Sequence, residues 1–335
     1  MEPESRTAEG YENQPYRTLQ IRDSEKYQNE DKSLLNDIFP TFSSRIRYLF
    51  ILQQLKNTLR LLRFPFSLFL LPVTLFALFY VEVKSDVHTW LVLVIWHLLV
   101  FPASNGYNSY NDRDEGPIGG LATPPPPTRQ LLYLVNTMDA TALLLSLFVS
   151  FPFTFFVAAY ILASRFYSNR AIRLKKFPIV SFLDVFIFQG AWVFCADLKA
   201  LSPAHVFSNP AVIYSAAACS FFIGTVYPLT QIYQHSADRE DGITTLSMLL
   251  GIRGTFIFSA LLFIIATLFV YASFSGALNR FWLFNLVMLP STLYFLTWAF
   301  GSFRDAARVN FRNAMGMLVL SSLLNNVFFL ILLLN

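Results

Sequence analysis

Charge is what this chain has least of. Only 14% of its 335 residues are Asp, Glu, Lys or Arg, against about a quarter in a soluble domain, so there is too little charge to coat a water-facing surface. The shortage is also uneven, because 10 basic and 9 acidic residues lie before Phe64. Beyond that point apolar runs long enough to cross a bilayer break up the charge. Cysteine is nearly absent: Cys195 and Cys219 both sit in apolar stretches. That excludes a disulfide framework and a structural zinc site, leaving two small packing residues. The N-terminal stretch MEPESRTAEGYENQPY has no apolar core and carries four early glutamates, so it reads as neither a signal peptide nor a transit peptide.

What is abundant is hydrophobicity, at 55% of residues including 36 Phe. The chain reads as an all-α, polytopic membrane bundle. Residues 1–45 are polar and aperiodic, a disordered tail, and residues 46–335 form the transmembrane domain. Leucines and bases alternate with helical spacing from Arg45 to Arg63, as in a helix lying at the membrane surface. Nine apolar segments follow, roughly 64–82, 87–104, 130–149, 152–164, 178–198, 211–230, 254–274, 281–300 and 314–334. Only Ser150-Phe151-Pro152 separates the third from the short fourth, so eight spans is the alternative. Loops on the tail's side carry 12 Lys and Arg and the opposite loops carry 3. The positive-inside rule then places the tail in the cytoplasm.

Two polar stripes end the second and sixth segments, Asn105-Gly-Tyr-Asn108-Ser-Tyr-Asn-Asp112-Arg-Asp-Glu115-Gly116 and Gln231-Ile-Tyr-Gln234-His-Ser-Ala-Asp238-Arg-Glu-Asp241-Gly242. At an offset of 126 residues, 8 of 12 positions agree in chemical class, amide on amide and acid on acid. This internal repeat implies two four-span halves with a site between them. Within each stripe amides and acids fall at steps of 3, 4 and 3, which a helix would place on one face. Crowded carboxylates near a membrane repel one another, and a divalent cation relieves that. Mg2+ takes one or two carboxylates plus phosphate and water. The competing account is two solvated helix ends whose acids pair with Arg113 and Arg239.

Between the stripes lies Arg165-Phe-Tyr167-Ser-Asn-Arg170-Ala-Ile-Arg173-Leu-Lys175-Lys176, five bases in 12 residues. Such a loop suits a diphosphate, although cytoplasmic topology charge has the same appearance. Asn136, Asp139, Asp184 and Gln189 are polar residues within spans, read first as pocket lining or interhelical contacts.

These motifs resemble the UbiA superfamily of intramembrane prenyltransferases over residues 55–335. Asn108 and Asp112 match its first motif, with Ser109 and Gly116 where acids are common and Asp114 and Glu115 nearby. Asp238, Asp241, Thr244, Thr245, Leu250 and Gly251 match its second, with acids three apart instead of four. The resemblance implies a helical bundle around a central cavity and Mg2+-dependent ionisation of a prenyl diphosphate. A lipophilic, aromatic acceptor within the membrane would then take up the prenyl group. It implies Asp112, Glu115, Asp238 and Asp241 as metal ligands, with Asp112, Asp238 and Asn108 catalytic. Asn105, Tyr167, Arg170, Arg173, Lys175, Gln231 and Gln234 would bind substrate. The expected partners are the prenyl diphosphate, the lipophilic acceptor and membrane lipids, with no nucleic acid, and the sequence points to no obligate protein partner. A terpene cyclase and a non-catalytic isoprenoid carrier are the alternatives.

Overall fold

The computed structural model describes residues 44–81, 86–202 and 204–334. The expected tail lies almost wholly outside the described residues. Among them the chain is helical, with one isolated bridge between Ile118 and Leu121 as its sole β pairing. In chain order the elements are α1 (Ser44–Leu61), α2 (Phe64–Ser67), α3 (Leu71–Leu78), α4 (Val87–Asp112), α5 (Arg129–Val149) and α6 (Phe151–Ser168). After these come α7 (Pro178–Leu201), α8 (Pro210–Gln231), α9 (His235–Glu240), α10 (Leu246–Ser273), α11 (Leu278–Arg304) and α12 (Phe311–Leu334).

Among the described residues seven helices are long and apolar enough to cross a membrane, or eight if the bent pair Ile51–Ser67 and Leu71–Leu78 counts as one span. This is a multi-pass integral membrane protein. The fourth expected segment is α6, whose 18 residues reach about 27 Å, just short of a hydrocarbon core of roughly 30 Å. The first expected span is broken, because Pro65 and Pro72 each open a new helix and the two segments meet at 40°. The last span covers the break, where Ser322 Oγ and Asn326 Nδ2 donate to the Leu68 carbonyl at 3.2 and 3.3 Å.

The offset of 126 residues carries α4 onto α8, α5 onto α10, α6 onto α11 and α7 onto α12, leaving α1–α3 outside the repeat. It also superposes Pro102 on Pro228, three residues before each stripe. Outward faces are apolar, as at Leu144, Phe148 and Phe155, which suits a lipid surrounding. Aromatic side chains fill the interior, with Trp96, Phe76, Phe101, Phe153 and Phe194 fully buried.

Helices approach most closely where small residues meet. At α7 a π turn spans Ile187–Trp192, and there Gly190 faces α8. A Cβ on Gly190 would lie 2.4 Å from the Ser220 Cα, and Ser220 Oγ accepts the Ala191 N–H at 2.9 Å. Backbone cannot step aside as a flexible side chain would. Gly190→Ala is therefore expected to cost about 1–3 kcal/mol or more through overpacking. Thermal unfolding in detergent reads this out, and an unchanged midpoint would show that α7 and α8 can separate at no cost.

Candidate active site

The two stripes converge on one cavity of about 330 Å³. Its polar end is lined by Asn105, Asn108, Asp112, Asp114, Lys175, Gln231, Gln234 and Asp238. The rest of the wall has many apolar side chains, Phe101, Phe188, Phe222, Phe263 and Phe329 among them, with scattered polar groups such as Asp184 and Gln189. Both stripes and one base of the connecting loop thus share a chamber, although 126 residues separate the stripes in sequence.

Neither stripe is one continuous helix. In the first, α4 carries Asn105, Asn108 and Asp112 on one face, then stops at Arg113, whose φ of 55° is left-handed. Pro117 disfavours helix at Gly116, so the chain turns instead of continuing. That turn places Asp114 in the cavity wall and leaves Glu115 exposed outside it. In the second, α8 ends at Gln231, Gln234 is non-helical, and Asp238 sits on the single-turn α9. Expecting four aligned residues per stripe thus overlooked the helix stops, which turn and loop residues impose.

Asn108 Nδ2 donates to Asp112 Oδ2 at 2.7 Å and to Ser168 Oγ at 3.2 Å, fixing the carboxylate. Lys175 Nζ lies 2.5 Å from Asp112 Oδ1. Arg173, buried and left-handed at φ 49°, pairs with Asp241 and stands 4.0 Å from Asp112. The basic loop therefore ties the end of one stripe to the end of the other. Arg173 and Asp241 do not line the cavity, so Arg173 holds acids in place instead of projecting inward, whereas Lys175 does project inward. Arg170 is exposed and donates to the Asn111 carbonyl at 2.6 Å. Tyr167 lines the cavity and its hydroxyl meets that of Tyr227 at 2.8 Å. Gln234 Nε2 reaches across to the Pro117 carbonyl at 3.0 Å, and Gln231 Oε1 accepts the Ser247 N–H at 3.4 Å.

Arg63 was not among the sequence-based candidates, because it closes a stretch read as a surface helix. It lines the cavity, buried, and donates to the carbonyls of Asn105 at 3.1 Å and Gly119 at 3.2 Å. Its left-handed backbone, φ 50°, gives no sequence signal when the residue is not glycine. Of the polar span residues, Asp184 and Gln189 line the cavity, Asp139 pairs with Arg165, and Asn136 is exposed.

Crowding shows in the acids' protonation. Burial pushes Asp238 up to about 7, Lys175 opposes the shift, and Asp114, Asp112 and Asp241 add to it. Asp114 is pushed up to about 6 by burial and by the Asp112 charge, against Lys175 and Arg63. Both folded values exceed the ordinary aspartate value, so the folded state binds more protons than the unfolded one between pH ~4 and ~7. Stability should fall as pH rises through that window. Mg2+ should restore more of it at pH 8 than at pH 5, since binding needs the ionised acids. Thermal unfolding with and without Mg2+ at the two pH values tests this; equal Mg2+ shifts would contradict it.

A hard cation fits the donor set. Asp112 Oδ1 is buried without a hydrogen bond, and among the described residues its ion-pair partners are Lys175 and, at 4.0 Å, Arg173. Among the described residues no three acidic, His or Cys side chains close on a single point tightly enough to hold an ion unaided. That spacing suits Mg2+ arriving with phosphate, which needs only one or two protein carboxylates per ion.

Among solved structures, the chain is similar in fold to a UbiA homolog from Archaeoglobus fulgidus. The forms bound to DMAPP with Mg2+ and to GPP with Mg2+ each give a TM-score of 0.63 at 18% identity, covering 83% of this chain and 100% of that one. A digeranylgeranylglyceryl phosphate synthase is also similar, with a TM-score of 0.55 at 15% identity over 84% of this chain and 98% of that one. Among curated proteins none matches in sequence. Residues 69–330 match the UbiA prenyltransferase family, most of the chain and both stripes included. With this cavity and this repeat, the chain belongs to the UbiA prenyltransferase family.

Proposed function

We propose that the protein transfers an isoprenyl group from a prenyl diphosphate to a lipophilic, aromatic acceptor within the membrane, with Mg2+ as cofactor. The observation that carries this reading is the shared cavity: carboxylates of both stripes and Lys175 line it together with many apolar side chains, five of them the phenylalanines named above. The DMAPP- and GPP-bound forms of the similar archaeal protein, both with Mg2+, support it.

In this reading the greasy wall takes the prenyl chain and the polar end takes the diphosphate. Asp112, Asp114 and Asp238 would hold Mg2+, which when bound supplies positive charge for the departing diphosphate. Asp114 replaces Glu115 as the proposed ligand because it faces the cavity and Glu115 does not. Lys175 donates to a phosphate oxygen as the bond to the prenyl carbon breaks, which favours ionisation. Asn108, bound to Asp112, and Asn105, Gln231 and Gln234 set the orientation of the polar end. The aromatic wall excludes water from the allylic cation until the acceptor captures it. The 12-to-3 bias of basic residues supports a cytoplasmic placement of the polar end and the N-terminus.

Purified protein in nanodiscs, given geranyl diphosphate and Mg2+, is expected to release diphosphate and to lose that activity in EDTA. Turnover persisting in EDTA would reject the metal, and binding without any diphosphate release would indicate a carrier. Cyclised hydrocarbon made without acceptor would indicate a terpene cyclase.

A further inference from the structure

The two stripes hold their acids by different means. Asp112 closes the long helix α4, where Asn108 donates to it and Lys175 pairs with it. Asp238 lies on α9, six residues long, and its carboxylate has no hydrogen bond or ion pair with any described residue. A helix of one or two turns is marginal on its own, so contacts outside α9 must fix where Asp238 points. Gln234 and Asp241 tie the two flanks of α9 to loops, at the Pro117 carbonyl and at Arg173. Within α9, among the described residues, the one side chain hydrogen-bonded to another element is His235. Its Nε2 meets Ser247 Oγ at 2.8 Å.

Ser247 is a firm anchor. It is fully buried in the first turn of α10, and its N–H donates to Gln231 Oε1 at 3.4 Å. Just beyond, α10 breaks at Gly251, where φ is 66° and ψ 175°. Thr255, also fully buried, bridges that break: its Oγ1 donates to the Gly251 carbonyl at 2.7 Å and lies 3.0 Å from Ser247 Oγ. Counting hydrogens sets the direction of the chain. Thr255 has one hydroxyl hydrogen and gives it to Gly251, so Ser247 donates to Thr255, and the Ser247 oxygen is left to accept from His235. His235 Nε2–H, Ser247 O–H, Thr255 O–H and the Gly251 carbonyl thus form one run of donors with every member satisfied. The run joins α9 to the rigid body of α10 across the break.

We propose that His235 is the positioning residue for Asp238, acting through Ser247 to hold α9 in the register that lets the second stripe take Mg2+. This rests on the metal-binding reading above. His235 itself does not line the cavity, so it touches neither metal nor substrate. It stands to Asp238 as a partner outside the ligand shell stands to a ligand, a relation whose loss typically lowers metal affinity or activity 10–100-fold.

The test uses the full chain, in nanodiscs for turnover of geranyl diphosphate and in detergent for thermal unfolding with inorganic diphosphate, Mg2+ being titrated in both. His235→Phe keeps a ring but cannot donate, and should raise the Mg2+ concentration for half-maximal turnover at least ~10-fold, the lower end for such a partner. The Mg2+-dependent rise in unfolding midpoint should weaken with it. Ser247→Ala removes the same bond from its other side and should reproduce both changes. His235→Gln, whose amide N–H2 can reach Ser247, should recover most of the loss. In an Asp238→Asn background, His235→Phe should add no more than ~2-fold, because the group it positions is gone. Full additivity there overturns the proposal. So does a wild-type Mg2+ requirement in His235→Phe and Ser247→Ala, even with a lowered metal-free midpoint, since that marks a merely structural bond. A wild type that releases no diphosphate, yet shows an Mg2+ shift that His235→Phe weakens, rejects the transferase reading and leaves the positioning role standing. No Mg2+ shift in wild type overturns the positioning role.

Discussion

Asp238→Ala is expected to lower prenyl diphosphate turnover at least ~100-fold while leaving the metal-free protein no less stable than wild type. The two halves of that expectation come from one arrangement. Asp238 has no ion pair among the described residues, and Asp114, Asp112 and Asp241 all raise the cost of its charge. Removing it relieves repulsion, so the unfolding midpoint at pH 8 should hold or rise. In the proposed function its charge serves bound metal and substrate. Loss of one preorganised electrostatic group costs about 10²–10³ in rate, roughly 3–4 kcal/mol of transition-state stabilisation. Asp112→Ala should differ. Its carboxylate is the partner of Lys175 and lies near Arg173, so its removal strands buried positive charge and destabilises the fold as well. Steady-state kinetics with thermal unfolding on both variants separates them. Wild-type turnover by Asp238→Ala would remove the second stripe from the chemistry.

Much of this architecture is legible in the sequence because membranes permit few solutions. Backbone polar groups in lipid must pair internally, so long apolar segments between charged loops can only be helices. The stripes were legible for a similar reason: Asn, Gln and Asp are scarce among apolar residues, so their recurrence at an offset of 126 stands out. Helical spacing then predicted which residues share a face, and it held for Asn105, Asn108 and Asp112. It failed one residue later. Arg113 leaves the helix in a left-handed conformation, and the choice between Asp114 and Glu115 depends on that single turn. Arg63 escaped notice for a related cause, since its role depends on the break between α1 and α2 and on a loop 56 residues away. Spacing carries local geometry; what brings Arg63 to Gly119, or Gln234 to Pro117, is tertiary packing.

The basic loop is where topology charge and site chemistry make the most different forecasts. As a positive-inside signal, Arg173 would be one charge among 12 in these loops, and losing it would change little. In the fold it is buried, paired with Asp241 and 4.0 Å from Asp112. Arg173→Gln is therefore expected to reduce turnover at least ~10-fold, about 1.4 kcal/mol, and to lower the unfolding midpoint. Arg304→Gln, in an exposed position beyond the repeat's stripes, should do neither. Arg173→Lys should recover part of the loss, because a point charge can face one acid but cannot reproduce the guanidinium fork between two. The double variant Arg173→Gln, Asp241→Asn distinguishes a bracket from a phosphate ligand. A bracket predicts that removing both partners destabilises less than the sum of the single changes, because no unpaired buried charge remains. A ligand acting directly on diphosphate predicts no such relief, with KM rising for Arg173→Gln whether or not Asp241 is ionised. Lys175→Gln, at the one loop base in the cavity wall, should show that direct signature. If Arg173→Gln and Arg304→Gln are indistinguishable in kinetics and in unfolding, the loop does not join the stripes in the working protein.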